Sequence, residues 1–224
     1  MKHLQRDLES AKREILAMGS LVERAISDAI RALRERDPEL ARAVRAGDHA
    51  IDDKEISIEE ECLKILALHQ PVAQDLRFIV AILKVNNDLE RMGDLAQSMA
   101  SRGVDLVKES SVAEPPGMDE MMTRVRSMVT RSLDSLVHLD PEAARDILRD
   151  DQAVDELHKK MYGHIQDQME SDPTNVRDWV RWLSVSRYLE RLADYTTNIA
   201  EDVIFTVEGE VVRHGAWLTE EDKV

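Results

Sequence analysis

The chain has little of what a sheet, a disulfide scaffold or a membrane span requires. Aromatic residues are 4% of its 224 residues, and it carries 8 glycines and 6 prolines. Ala, Leu, Glu, Arg and Met are plentiful instead, a mix that favours helix over strand. No segment sustains the two-residue alternation between turn signals that marks a strand. The one cysteine, Cys62, excludes an intrachain disulfide and suits a reducing compartment. It falls in an apolar register and reads as a core residue. The most apolar run, Phe78-Ile79-Val80-Ala81-Ile82-Leu83, is far short of the roughly 20 residues that cross a bilayer. The opening MKHLQRDLESAKREI has no apolar h-region, so no secretory leader is expected. Positive charge is in deficit: the formal net charge is −15. Such a chain repels nucleic acid and anionic lipid and attracts cations and basic surfaces. Any membrane association is expected to come through a partner.

What is present is helical periodicity. Ile15, Met18, Val22, Ile26, Ile30 and Leu33 fall on one stripe, as do Met121, Val125, Met128 or Val129, and Leu133. Val154, Leu157, Met161 and Ile165 repeat the pattern. Asp37-Pro38, Asp140-Pro141 and Asp172-Pro173 each set a capping carboxylate before a proline, which suits a helix start. These signals predict six helices near 2–35, 38–68, 72–109, 118–138, 141–170 and 174–209. The run Ser110–Gly117 reads as an interdomain linker. The expected organisation is a first three-helix bundle over 1–110, a linker over 111–117, and a second bundle over 118–224.

The two halves repeat. At a shift of 103, Asp37-Pro38-Glu39 meets Asp140-Pro141-Glu142, Asp48 meets Asp151, and Asp52 meets Asp155. Beyond the next turn the shift becomes 100, and LERMGD at 89–94 meets LERLAD at 189–194. Residues four apart share a helix face, where like charges cost an isolated helix roughly 0.2–0.5 kcal/mol per pair. Helix formation therefore does not explain Asp48 with Asp52, Glu90 with Asp94, Asp151 with Asp155, or Glu190 with Asp194. If the two faces of each half meet across an antiparallel helix pair, four carboxylates converge and need cations or protons. All-oxygen ligands suit Mg, Ca, Mn, or Fe in a carboxylate-bridged cluster. A single acid pair in an acidic helix is ordinarily a solvated face; recurrence in register in both halves is what raises metal binding.

Other constellations are poor. No zinc-protease histidine pair, Glu-x-x-His di-iron signature or phosphate-cradling glycine loop is present. His49 and His158, near the acidic positions, read as solvent-facing. Met118, Met121, Met122 and Met128 read as core, as do Trp179 and Trp182, although these two and Trp217 could anchor an interface. Arg91 and Arg191 read either as ordinary partners of neighbouring acids or as residues that hold the site carboxylates in place.

The chain resembles the PhoU family of phosphate-uptake regulators over nearly its whole length. The resemblance rests on the duplicated three-helix pattern, on QPVAQDLRFIVAILKVNNDLERMGDLA, and on SRYLERLADYTTNIAEDVIFTVEGEVVRH. It implies an all-α fold of two tandem three-helix bundles related by pseudo-two-fold symmetry. It implies multinuclear iron or zinc clusters on surface E(D)-x-x-x-D motifs, with Glu90, Asp94, Glu190 and Asp194 as the surest ligands. Asp48, Asp52, Asp151 and Asp155 would be their partners across each helix pair. Glu201 and Asp202 are weaker candidates, having Ser101 and Arg102 as counterparts. Tyr195 stands where many relatives carry His, and Asn87 becomes Arg187 between the halves, so the second site is expected to bind metal differently or more weakly. The resemblance further implies a cytoplasmic negative regulator. It would couple a phosphate ABC transporter, through its ATPase, to a sensor histidine kinase, as a homodimer drawn to the inner membrane face by these partners. Binding rather than turnover would be its work. Two competing readings are a carboxylate-bridged metal oxidase or metallohydrolase, and a helical interaction module without metal.

Overall fold

The computed structural model describes residues 2–109 and 112–212. Seven α-helices make up the described chain: α1 Lys2–Glu35, α2 Pro38–Gly47, α3 His49–His69, α4 Ala73–Glu109, α5 Met118–His138, α6 Pro141–Ser171 and α7 Val176–Glu208. No strand occurs among the described residues. The predicted helix 38–68 is interrupted only at Asp48, whose φ −59° and ψ −40° are themselves helical. Helices α2 and α3 thus follow one another with a single irregular residue between them, and six helical rods result. Ser110, Ser111, His214 and Trp217 lie outside the described residues.

The rods begin where the sequence places carboxylates before proline. The Asp37 side chain accepts hydrogen bonds from the backbone N–H groups of Glu39 and Leu40. Asp140 accepts them from Glu142 and Ala143. Asp172 caps a short 3-10 turn, Pro173–Asn175, instead of α7 itself; α7 starts at Val176. At the far end of α7, Gly209 adopts φ 78°, a left-handed conformation that glycine enters without penalty.

In the first half α1, α2, α3 and α4 pack together; in the second, α5, α6 and α7 do. The halves meet through α4 against α7 and α1 against α5. The predicted stripes form the interior: Ile15, Met18, Val22, Ile26 and Ile30 are buried, as are Met118, Met121, Met122, Val125 and Met128. Cys62, Trp179 and Trp182 are buried with them. Among the described residues no helix is long and apolar enough to cross a membrane. The long rods α4 and α7, 37 and 33 residues, carry the LERMGD and LERLAD segments. Leu89 and Leu189 point wholly inward, so the residues that follow each of them face a neighbouring helix or solvent.

Candidate functional site

The first acid set forms where the α2–α3 break lies against α4. Asp48 occupies the break, Asp52 the first turn of α3, and Glu90 and Asp94 the middle of α4. Gly93 permits the approach. A Cβ there would lie 3.0 Å from Ile51 Cδ1 and 3.6 Å from Asp48 Oδ1. Asp48 is 9% exposed and accepts a hydrogen bond from Gln97 Nε2 at 2.5 Å. Burial raises its carboxyl above the ordinary range, and the charges of Asp52 and Asp94 add to the shift. Burial also raises Glu90, helped by Asp94, Glu55 and Asp52 and opposed by Arg91. Arg91 lies 3.3 Å from Glu90 and 3.6 Å from Asp94, an ion-pair partner of both acids. His49 is 91% exposed and 3.8 Å from Asp52.

The second set sits on α6 and α7 with no break between its helical turns. Asp151 and Asp155 lie on α6, Glu190 and Asp194 on α7. Burial pushes Asp151 up to about 7, with further contributions from Asp155, Asp194 and Glu190. Asp194 rises to about 6 through partial desolvation and the charges of Glu190 and Asp155, against the pull of Arg191. One oxygen of Asp151, Oδ1, is buried without a hydrogen-bond partner. The residue matching Gln97 is Thr197, whose hydroxyl donates to the Asp194 backbone carbonyl at 2.7 Å. It therefore does not supply what Gln97 supplies to Asp48. Beside this set a cleft of about 380 Å³ is lined by His158, Tyr162, Arg187 and Arg191 together with Glu190 and Asp194.

The helix pairing thus makes each predicted quartet one electrostatic unit. Among the described residues no group of three or more His, Cys, Asp or Glu side chains is spaced to hold a metal ion as the side chains stand. The donor chemistry nevertheless fits a hard cation. Each quartet is all-oxygen, neighbouring acids help raise Asp48 and Glu90 in the first and Asp151 and Asp194 in the second, and Asp151 presents an orphaned buried oxygen.

Several participants escaped sequence reading. Gln97 is one; at the shift of 100 it meets Thr197 within a run, 95–99, in which every position differs, so the mismatch did not single it out. His158 is half-buried rather than solvent-facing, and its Nδ1 lies 2.7 Å from Ser186 Oγ. Asp202 turns away from the second set. It pairs with Lys84 at 2.6 Å in a cleft of about 730 Å³ between α4 and α7, which Asp88, Asn198 and Glu201 also line. Burial and the charge of Asp202 push Asp88 up to about 7, against Asn198 and Lys84.

Comparison with known proteins covers both halves. The PhoU domain profile matches residues 15–103 and 118–203. The phosphate-specific transport system accessory protein PhoU homolog of Pseudomonas aeruginosa is 38% identical over 211 residues, covering 93% of this chain and 86% of the relative. The protein of the same description from Aquifex aeolicus is 37% identical, over 94% and 96% of the two chains. The crystal structure of PhoU from Pseudomonas aeruginosa superposes with a TM-score of 0.88 at 37% identity, over 92% of this chain and 99% of that one. That of the phosphate transport system regulatory protein PhoU from Streptococcus pneumoniae gives 0.88 at 30% identity, over 94% and 100%.

Proposed function

The chain belongs to the PhoU family, and from that premise we propose that it is a negative regulator of phosphate uptake and phosphate-regulon signalling. The observation that carries the reading is the family match across both repeats, together with relatives described as accessory proteins of phosphate-specific transport. In this reading it is an adaptor that works by binding, not turnover. It touches the ATPase of a phosphate ABC transporter and a sensor histidine kinase. It works in the cytoplasm as a homodimer, and its partners bring it to the membrane.

Metal belongs to the same proposal. Asp48, Asp52, Glu90 and Asp94 would hold one centre, and Asp151, Asp155, Glu190 and Asp194 the other, with iron or zinc as the metal and Mn, Mg or Ca as alternatives of the same hard-ligand chemistry. Bound metal would supply positive charge that lets four carboxylates stay ionised together. Asp151 and Asp194, held part-protonated by their surroundings, would release protons on metal uptake.

The test is a phosphate-regulon reporter in cells lacking the protein. Loss should switch the reporter on in high phosphate, and the wild-type chain should restore repression. The quadruple variant Glu90→Gln, Asp94→Asn, Glu190→Gln, Asp194→Asn, expressed at the same level, should restore it poorly. A reporter that stays repressed without the protein would overturn the regulatory reading. Full repression by the quadruple variant would remove the metal faces from it.

A further inference from the structure

The outward face of α3 is apolar where the fold does not require it. Its inner face packs on α1 and α4 and buries Ile51, Ile58 and Cys62. On the opposite side Ile56 and Leu63 are 54% and 53% exposed, and Ala67 is exposed with them. These three are seven and four residues apart, so they form one stripe about 16 Å long. Leu68 and Val72 extend the apolar exposure to the α3–α4 corner. Among the described residues ten large hydrophobic side chains are exposed, and five of them fall from Ile56 to Leu76. The exposure is concentrated there, unlike the scattered single residues of an ordinary surface.

The repeat shows that the stripe is not needed to build the helix. At the shift of 103, Ile51, Ile58 and Cys62 meet Val154, Met161 and Ile165, apolar and buried in both halves. In the same register Ile56, Leu63 and Ala67 meet Lys159, Gln166 and Glu170, all exposed. The second half keeps the core side of the helix and is polar at every stripe position. The first half presents an apolar seam that its own fold leaves bare.

Charge indicates what would cover the seam. Helix α3 carries six acids and two lysines. Lys54 pairs with Glu14 and Lys64 with Glu61. Asp53, Glu59 and Glu60 are exposed beside the stripe, and among the described residues their side chains make no hydrogen bond or ion pair. A second copy of the chain would set these acids against their own kind, and an anionic membrane would be repelled. A helix with apolar residues three and four apart and Lys or Arg on either side meets both features. Its ridge lies on Ile56, Leu63 and Ala67, and its cations reach the three carboxylates.

We propose that the outer face of α3, in the first half only, docks a basic amphipathic helix of a partner protein. This site rests on the adaptor reading above, whose contact surface it names. Because the carboxylates are exposed, the contact should weaken as salt rises.

The experiment follows the fluorescence anisotropy of a labelled synthetic peptide against full-length protein. The peptide has about 18 residues, long enough to form a helix, with a leucine stripe flanked by lysines. One control peptide has the same composition in scrambled order; the other has glutamate in place of lysine. The striped basic peptide should bind roughly tenfold more tightly than the scrambled one, and the glutamate peptide should not bind. Ile56→Gln with Leu63→Gln removes the stripe without changing charge and should weaken binding by a similar factor. The thermal midpoint should hold, since both side chains are exposed. Glu59→Gln with Glu60→Gln should lower both the affinity and its salt dependence. Equal binding of the striped and scrambled peptides, or binding that survives Ile56→Gln with Leu63→Gln, overturns the site. So does a homodimer that the same variant splits into monomers in sedimentation equilibrium, which gives the face to a second copy. In the phosphate-regulon reporter strain Ile56→Gln with Leu63→Gln should repress poorly at normal protein level. Full repression by this variant overturns the face as the adaptor's contact surface. A reporter repressed even without the protein overturns the regulatory reading and leaves the peptide result to decide the docking site.

Discussion

The two acid quartets occupy matching helix positions, yet their deepest carboxylates are satisfied differently. Asp48 accepts an amide N–H from Gln97; Asp151 keeps a buried oxygen without a donor. Arg91 lies against its acids, whereas Arg187 and Arg191 face a cleft. Duplication therefore reproduced where the carboxylates stand, while single side chains around them set their charge and what else can bind. The first site is closed upon itself by Gln97 and Arg91. The second is left with unmet hydrogen-bonding capacity and unpaired cations.

The equivalence of the scaffold can be broken most forcefully at its core. Leu89 and Leu189 precede the two motifs and are completely buried. Leu89→Ala and Leu189→Ala should each cost about 3 kcal/mol in urea unfolding of the full chain. A cost confined to one of them would mean that the repeats do not carry equal shares of the fold.

The difference in charge sharpens the comparison next. In the unfolded chain Asp151 titrates near its ordinary 3.8, and in the folded chain near 7. Between those values the folded state binds more protons, so stability falls as pH rises through the window. Asp151→Asn should leave metal-free protein unchanged below pH 4 and stabilise it at pH 8 by something on the order of 2 kcal/mol. Asp48→Asn should gain less, because Gln97 already supports the ionised carboxylate. Parallel stability-versus-pH curves for wild type and Asp151→Asn would contradict the unmet carboxylate.

The smallest effect should come from the amide itself. Gln97→Ala removes one hydrogen bond to a carboxylate and should cost about 1 kcal/mol. It should also move the Asp48 titration midpoint upward, read by carboxyl carbon NMR. Thr197→Gln, its mirror in the second half, should lower the Asp151 midpoint. An unmoved Asp48 would show that burial and neighbouring acids, not Gln97, separate the two sites.

Much of this was legible in the sequence because it is local or periodic. The Asp37 and Asp140 caps follow from a carboxylate one residue before proline, and the buried stripes follow from three- and four-residue spacing. The four acid pairs were visible because each lies within one helix and recurs one repeat later. The interruption at Asp48 was marked only by Gly47, the last residue of α2; the Asp48 backbone itself stays helical, and one glycine within a helical pattern does not fix a break. The 3-10 turn at Pro173–Asn175 was not legible either, since it uses the same Asp-Pro signal as a true helix start.

The sequence by itself determined a helical chain, its repeat and which carboxylates share a face, because helix geometry fixes relations between residues three and four apart. Only the tertiary structure decided which acids face each other between helices and that Gln97 reaches Asp48 across 49 positions. It also decided that Asp202 turns to Lys84 across 118, and that His158 and Arg187 share a cleft. Those relations depend on the packing of one helix surface into another, and spacing along a single helix carries no record of them.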